Sequence, residues 1–355
     1  MKHRLSGQTS ALLDDESEFD RPDTVAEIAH ALQESGYTVH LVEATESLPR
    51  WFLTHSVDLV FNIAEGMQGA TRESQVPAVL ESLGVPNTGS NSTALALALD
   101  KARTKQMLHS EGIPTPLWQV FHQADEALDP RLSFPLIVKP NREGSGKGIW
   151  RENVVYDAVA LRRQVLRVID RYRQEALVEE YIDGMELTVG VLGKTALPVL
   201  EIDFSTCRES GEFFYSWRMK EFQGDDAQHL SPEIHCPARL SPLTTRQAQE
   251  LALRTHYAVG CDDFSRTDIR LRLDGALFVL EINPLPGLSP VDSNFPRMGR
   301  AAGLSYEALI QQIVRLAIER QHDGRRLPGA PINRLAVSRA FHAEEPLEGG
   351  RTGEH

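Results

Sequence analysis

The chain has 355 residues, a net charge of −13 at pH 7, and 41% hydrophobic and 25% charged side chains. That length supports two or three domains with sizeable cores, and the composition is ordinary for a soluble globular protein. The negative balance excludes a general surface for nucleic acid or anionic membrane, and no apolar stretch has the length of a membrane span or the pattern of a signal peptide. Cys207, Cys236 and Cys261 are odd in number and far apart. They fit no paired metal spacing and read as reduced thiols in a cytoplasmic protein.

Residues 1–20 are polar and weakly patterned, with only Ala11-Leu12-Leu13 hinting at a strand. Pro22 suits the first turn of a helix whose apolar face is Val25, Ile28, Ala29 and Leu32, and Gly36 stops it. Residues 37–42 and 57–63 read as buried strands; residues 73–83 read as a helix ended by Gly84, with a short strand around Val85. The alternation implies an α/β layer on a mostly parallel sheet, with functional residues past the carboxyl ends of its strands. Asn62-Ile63-Ala64-Glu65-Gly66 holds such a place. Asn91-Ser92-Thr93 then caps a single helical region reaching Leu108, and the first domain ends near here.

Residues 134–139 form an apolar strand closed by Pro140; Glu143-Gly144-Ser145-Gly146-Lys147-Gly148 follows, and a strand resumes at Ile149. Residues 162–172 make an amphipathic helix, and residues 176–182, 186–192 and 199–204 make strands. From 208 to 241 the pattern dissolves into a charged and aromatic segment, the length of a functional lid or a disordered region. Residues 243–258 and 304–320 are helical, and the tail beyond Asp323, rich in Gly, Pro and charge, is expected to be disordered.

Between those last two helices, Asp274-Gly275 separates two alternating runs, the signature of a two-residue hairpin. Counting outward from that turn pairs Leu273 with Ala276, Asp268 with Glu281 and Arg266 with Asn283. Ile269, Leu271, Leu273, Phe278, Leu280 and Ile282 then share a core face, and Arg266, Asp268, Glu281 and Asn283 share the other. Two carboxylates directly opposed need a cation or a proton. With an amide oxygen added, the donors are hard oxygens suited to magnesium; the plainer alternative is a solvated surface hairpin.

Gly144-Ser145-Gly146-Lys147-Gly148 does not match the Walker spacing, and it reads equally as a phosphate-covering loop or a flexible turn. Lys139, closing a buried run, either snorkels or meets an anion, and beside the glycine loop the anion is favoured. Lys101 alone reads as part of a solvated helix face. Val178-Glu179-Glu180-Tyr181-Ile182 with Glu186 reads either as an edge segment or as a nucleobase linker with a ribose acceptor.

Jointly these residues match a family. From about residue 57 to residue 318 the chain resembles the ATP-grasp enzymes, and within them the D-alanine–D-alanine ligases. The resemblance rests on Asn87-Thr88-Gly89-Ser90, Leu99-Asp100-Lys101, Val138-Lys139-Pro140, Glu143-Gly144-Ser145, Val178 to Ile182 and Glu186-Leu187-Thr188-Val189. It continues through Phe214-Tyr215, Lys220, Arg266-Thr267-Asp268, Glu281-Ile282-Asn283 and Pro286-Gly287, all in order.

The resemblance implies an α/β and α+β architecture: an ATP-grasp fold behind an N-terminal doubly wound α/β domain. The divisions would be residues 1–95, a central lobe at 96–182, a C-terminal lobe at 183–322 and a tail at 323–355. Lys101, Lys139 and the Glu143-Gly144-Ser145 loop would contact ATP phosphates; Glu179, Glu180, the Tyr181-Ile182 backbone and Glu186 would hold adenine and ribose. Asp268, Glu281 and Asn283 would bind two magnesium ions, manganese being the alternative metal. Arg266 would stabilise the tetrahedral acyl-transfer intermediate, Lys220 would reach the γ-phosphate on lid closure, and Gly287 and Ser293 would meet the second amino acid. A cytoplasmic homodimer is usual for the family, with amino acids as its small-molecule partners.

The departures fall mostly on the amino-acid side. The glycine-rich Ser-x-Glu loop of such ligases is replaced by Asp15-Glu16-Ser17-Glu18-Phe19-Asp20, and the first strand is poor or missing. A Gly-Glu-Asp-Gly stretch becomes Gly69-Ala70-Thr71-Arg72-Glu73-Ser74, Glu221 follows the lid lysine, and Gly146 replaces a serine. Glu16, Glu65 and Glu73 are candidates for ammonium recognition, with a solvated role the alternative for each. Three functions stay open: a D-alanyl-D-alanine ligase, an amide or dipeptide ligase for another amino acid (L-amino acids included), and a non-catalytic ATP-binding module.

Overall fold

The structure, a computed structural model, describes residues 21–66, 68–210, 213, 214, 216, 219, 231–324 and 334–339. Pro22 opens α1 (Pro22–Glu34), which buries Val25, Ile28, Ala29 and Leu32 as its spacing requires. β1 (Thr38–Glu43) and β2 (Leu59–Asn62) flank α2 (Leu48–Thr54), and α3 (Gln75–Leu83) ends at Gly84 in the left-handed region, φ 67°. The strand expected at Val85 reduces to a single parallel bridge between Val60 and Asn87.

The sheet of this layer is parallel and three-stranded, and its central member comes from the far end of the chain. Arg334–Arg339 pairs with β1 on one side and with β2 on the other, which overturns the expectation of a wholly disordered tail. Leu335-Ala336-Val337 is too short an apolar triplet to stand out in a Gly- and Pro-rich tail, and its partners lie nearly 300 residues away. In chain order this strand is β13.

Two antiparallel sheets follow. The first has the order β3 (Trp118–Phe121), β6 (Ala176–Glu180), β4 (Leu136–Pro140), β5 (Val154–Val155), and is backed by α6 (Ala158–Tyr172). The strand expected to resume at Ile149 starts instead at Val154. Asn153 anchors the intervening turn by donating from its side chain to the carbonyls of Val138 and Gly148. The second sheet runs β10 (Glu233–His235), β9 (Leu200–Asp203), β7 (Gly184–Leu192), β11 (Phe264–Arg272), β12 (Leu277–Asn283), with β8 (Thr195–Ala196) beside β7. β10 lies within the segment expected to be patternless; three residues are too few to show a period. The helical region expected to be continuous to Leu108 breaks at Asp100 into α4 (Ser92–Leu99) and α5 (Lys101–Ser110). The Asp100 carboxylate accepts from the Arg103 N–H, capping α5 and aiming Lys101 off the first turn.

α7 (Pro242–Val259) starts at the Ser241 cap and ends at Gly260, and its Ala248, Leu251 and Ala252 pack on Leu187, Val189 and Ile269 of the second sheet. α8 (Asn294–Ala301) and α9 (Tyr306–Gly324) then return the chain to α1. On α7, His256 is buried and its Nδ1 lies 2.7 Å from Ser265 Oγ. Burial lowers its pKa from 6.5 to about 4. The unfolded chain therefore takes up this proton first as pH falls, so stability present above pH 6.5 is lost down to about pH 4. We expect this to amount to about 3 kcal/mol, and His256→Gln to flatten that part of a denaturant-derived stability profile.

Candidate active site

β11 and β12 pair with Arg266 opposite Asn283 and Asp268 opposite Glu281, the register read from the sequence. The route to it differs from the expected one. Arg272 N–H donates to the Ala276 carbonyl, so the loop is three residues, Leu273 to Gly275. A bulge beyond Asp268 then leaves Leu280 without a partner and restores the count. Two one-residue departures cancel at the carboxylates, but the face assignments between them change. Leu273 is 88% exposed rather than in the core, Val279 is buried with Ile269 and Ile282, and Phe278 lies under the Arg272 guanidinium.

The cations that two opposed carboxylates require are present. Arg266 donates to both Asp268 oxygens at 2.9 Å, Thr188 Oγ1 donates to Asp268 Oδ1 at 2.6 Å, and Asn283 Nδ2 reaches Oδ2 at 3.4 Å. Lys101 Nζ lies 3.4 Å from Glu281 and donates to the carbonyl of Glu143. Lys101 is buried, so the reading of a solvated lysine fails. Asp268 and Glu281, with Asn283 two residues beyond Glu281 on the same strand, stay partly open to solvent, a hard-oxygen set that fits a divalent cation.

Across from the hairpin, Glu179 on β6 is buried between two lysines. Lys139 pairs with its Oε1, and Lys105, one turn beyond Lys101 on α5, lies 2.9 Å from its Oε2. Burial would raise the Glu179 carboxyl, but Lys105 and Lys139 outweigh it and hold it below its ordinary value. Burial pushes Lys105 down to about 8 against the attraction of Glu179. Burial also opposes charge on Lys139, yet Glu179 and Glu281 outweigh it and raise that lysine.

The glycine loop turns through left-handed positions at Ser145 (φ 50°), Gly146 (φ 74°) and Gly148 (φ 76°). A Cβ on Gly148 would come within 2.5 Å of Pro140, so this glycine is sterically required. Glu143, at the start of the loop, accepts from Gln174 at 2.7 Å and pairs with Lys147 at 3.3 Å.

Between the two antiparallel sheets lies an open cleft. Lys139, Glu143, Gly146, Glu179, Glu180, Tyr181, Ile182, Glu186, Asp268 and Glu281 line it, so most of the residues expected around a nucleotide converge. Ile137, Ile149, Leu280 and Phe214 supply apolar walls. The Tyr181 N–H is spent on the Pro135 carbonyl, which leaves the Tyr181 carbonyl and the Ile182 backbone for a nucleobase.

Lys101, Gly144, Ser145, Arg266, Asn283 and Gly287 are not in that lining, nor are Glu65, Glu73 and Ser293. Glu65 follows β2, and Glu73 is buried on a single helical turn, Arg72–Ser74. Ser293 Oγ accepts from the Ser289 N–H at 3.0 Å and would sit 2.8 Å from a Cβ on Gly287, so those two residues are neighbours beyond the hairpin. Glu16 and Lys220 lie outside the described residues.

Four polar residues escaped sequence reading. Arg270 is 3.0 Å from Glu186 and donates to the Gly184 and Phe213 carbonyls. It continues the Arg266, Asp268 alternation, which was the available signal. Lys105 repeats Lys101 at the i+4 position of one helix face. Thr188 gave no separate signal. Arg72, which donates to the Arg142 carbonyl at 2.8 Å and lies 3.5 Å from Glu143, gave none either.

Two antiparallel sheets closing on a lysine- and carboxylate-lined cleft, behind a parallel α/β layer, define an ATP-grasp fold. The family model described as D-ala D-ala ligase C-terminus matches residues 107–315. The D-alanine–D-alanine ligase of Carboxydothermus hydrogenoformans is 33% identical over 304 residues, covering 82% of this chain and 91% of its own length. An uncharacterized protein, y4sG, of Sinorhizobium fredii is 35% identical over 301 residues, with 82% and 87% covered. The solved structure of the Bacillus anthracis D-alanine–D-alanine ligase complexed with ATP superimposes with a TM-score of 0.70 at 26% identity, covering 90% of this chain and 97% of that one. The chain belongs to the D-alanine–D-alanine ligase family and is an ATP-dependent amino-acid ligase that forms a C–N bond. No helix among the described residues is long and apolar enough to cross a membrane.

Proposed function

We propose that the protein joins two amino acids through an acyl phosphate in a magnesium-dependent reaction, with D-alanine as the leading candidate for both. The observation that carries this reading is the stacked pair Asp268 and Glu281 on the cleft wall, clamped by Arg266 and Lys101. A pure nucleotide binder has little need of an arginine held at that point.

In this reading the carboxylate of the first substrate attacks the γ-phosphorus of ATP, ADP departs, and the amine of the second substrate displaces phosphate from the acyl carbon. Two magnesium ions, held by Asp268, Glu281 and Asn283, would offset the negative charge of the triphosphate. Lys101, Lys139 and the Gly144-Ser145 loop contact phosphate oxygens, and Lys220 joins them from the lid. Arg266 faces the oxyanion that develops on the acyl carbon. Glu179, Glu180, Tyr181, Ile182 and Glu186 hold adenine and ribose. Excluding water protects the acyl phosphate, the role assigned to the segment between β9 and β10.

The amino-acid side is assigned to Glu16, Glu65, Glu73, Gly287 and Ser293. The division into residues 1–95, 96–182 and 183–322 is retained, as are a cytoplasmic location and a homodimer. A second reading, a ligase for a different and even an L-amino acid, draws on Arg72. This residue is committed to the glycine loop from a stretch that departs from the family pattern.

Phosphate release with magnesium and ATP, measured against D- and L-amino acids singly and in pairs, tests both. Stimulation by D-alanine alone is the expected result. Stimulation by another pair selects the second reading, and tight ATP binding with no stimulation sinks both.

A further inference from the structure

The parallel sheet holds an unusual arrangement. β13 is sandwiched between β1 and β2, parallel to both, with Leu41 opposite Val337 on one side and Phe61 opposite it on the other. Ala336 and Val337 are wholly buried, and they enter different cores. Val337 packs in the cluster of Val25, Ile28, Leu59 and Phe61, while Ala336 joins Val42, Leu48, Val60 and Leu80. A strand covered on both faces and paired on both edges is the centre of a layer. Without it β1 and β2 would face each other about 10 Å apart, two strand spacings, with no partner between them.

α1 packs against both β13 and β1. That is the position of a crossover helix joining two parallel strands, so β13 stands where the strand preceding α1 belongs. The residues that do precede α1 in sequence carry only the weak strand signal of Ala11-Leu12-Leu13.

We propose that residues 334–339 supply the first strand of the amino-acid-side layer from the opposite end of the chain, and that they thereby position the substrate loop after β2. The path to the cleft can be followed. Ser338 stands in register with Asn62, whose side-chain oxygen accepts from the Ala64 N–H and holds the start of the loop. The loop passes Gly66, where a Cβ would lie 2.1 Å from the Arg72 carbonyl, so the backbone at its two ends approaches as closely as only glycine allows. Arg72 then reaches the Arg142 carbonyl and Glu143 of the glycine loop. β13 has no contact with nucleotide in this scheme; it is a positioning element, and its role on the amino-acid side rests on the function proposed above.

The test compares the full chain with two variants. One ends at residue 330; the other carries residues 331–355 moved in front of Met1, so that residues 1–20 become the linker to α1. In the shortened chain, amide exchange across β1 and β2 is expected to accelerate at least roughly a hundredfold, with β6, β7 and β11 unchanged. Affinity for an ATP analogue should stay within about threefold, while amino-acid-stimulated phosphate release falls by roughly a hundredfold. The rearranged chain should recover both properties. Native exchange in β1 and β2 of the shortened chain overturns the proposal, as does unaltered turnover with exchange accelerated. Should shortening unfold the whole chain, recovery in the rearranged one supports the proposal and failure to recover overturns it. If the full chain shows no amino-acid stimulation, the functional reading fails, but the exchange measurements still decide where the strand belongs.

Discussion

Glu281→Gln lowers amino-acid-stimulated phosphate release about a thousandfold and leaves the protein folded. The side chain contributes one of two formal negative charges stacked on the cleft wall, and its amide replacement keeps size and oxygen but loses charge. A divalent cation is worth several kcal/mol to a phosphoryl transfer, and a loss of about 4 kcal/mol corresponds to that fall in rate. Folding survives at a modest cost for a local reason. Lys101 loses its carboxylate partner, but Glu281 is part-exposed and Lys101 keeps the Glu143 carbonyl. Steady-state phosphate release over a range of magnesium concentrations, together with a thermal melt, checks both halves. Asp274→Asn, an exposed carboxylate on the same hairpin, should change neither by more than about twofold in rate. A Glu281→Gln enzyme with ordinary turnover would end the assignment of that residue to the metal.

The hairpin shows how far a sequence can carry a site. Alternation and Asp274-Gly275 placed the two strands as a hairpin, but Asp268 falls opposite Glu281 only because the three-residue loop and the bulge offset each other. The bulge at Leu280 was invisible, since one extra residue leaves no mark on an alternating pattern until its partner strand is known. Val279 and Phe278 exchanged faces for that reason. Asp100 could have been read as a helix cap, but the apolar run Ala94-Leu95-Ala96-Leu97-Ala98-Leu99 masked the break. β13 lay further out of reach. Its six residues become a strand only because β1 and β2 leave a slot of the right width and direction. The pairing of Lys105, Lys139 and Glu179 joins three elements that are separate in sequence, and only the fold makes them neighbours.

That buried trio sets the second large effect. Glu179→Gln is expected to destabilise the protein by about 3–5 kcal/mol, the cost of leaving buried charge without its partner. Two cations would remain, Lys105 and Lys139, both almost wholly shielded and deprived of the one carboxylate that pairs directly with each. Lys105→Met should cost far less, about 1 kcal/mol, because Glu179 keeps Lys139 and methionine fills nearly the same volume. Thr115, whose hydroxyl accepts from Lys105 at 2.7 Å, also survives the change, since that hydroxyl still donates to the Val279 carbonyl at 2.8 Å. The two variants differ in pH response as well. Burial sets Lys105 near 8 in the folded chain, below its ordinary 10.5, so the unfolded chain holds more protons between those values. Raising the pH through that window therefore favours the wild-type fold, an increment that Lys105→Met loses. Denaturant unfolding of the wild type and both variants at pH 7, 8 and 10 measures all of this. If Glu179→Gln proves no less stable than Lys105→Met at pH 7, the carboxylate is not what holds the two lysines, and the electrostatic account of this wall of the cleft is wrong.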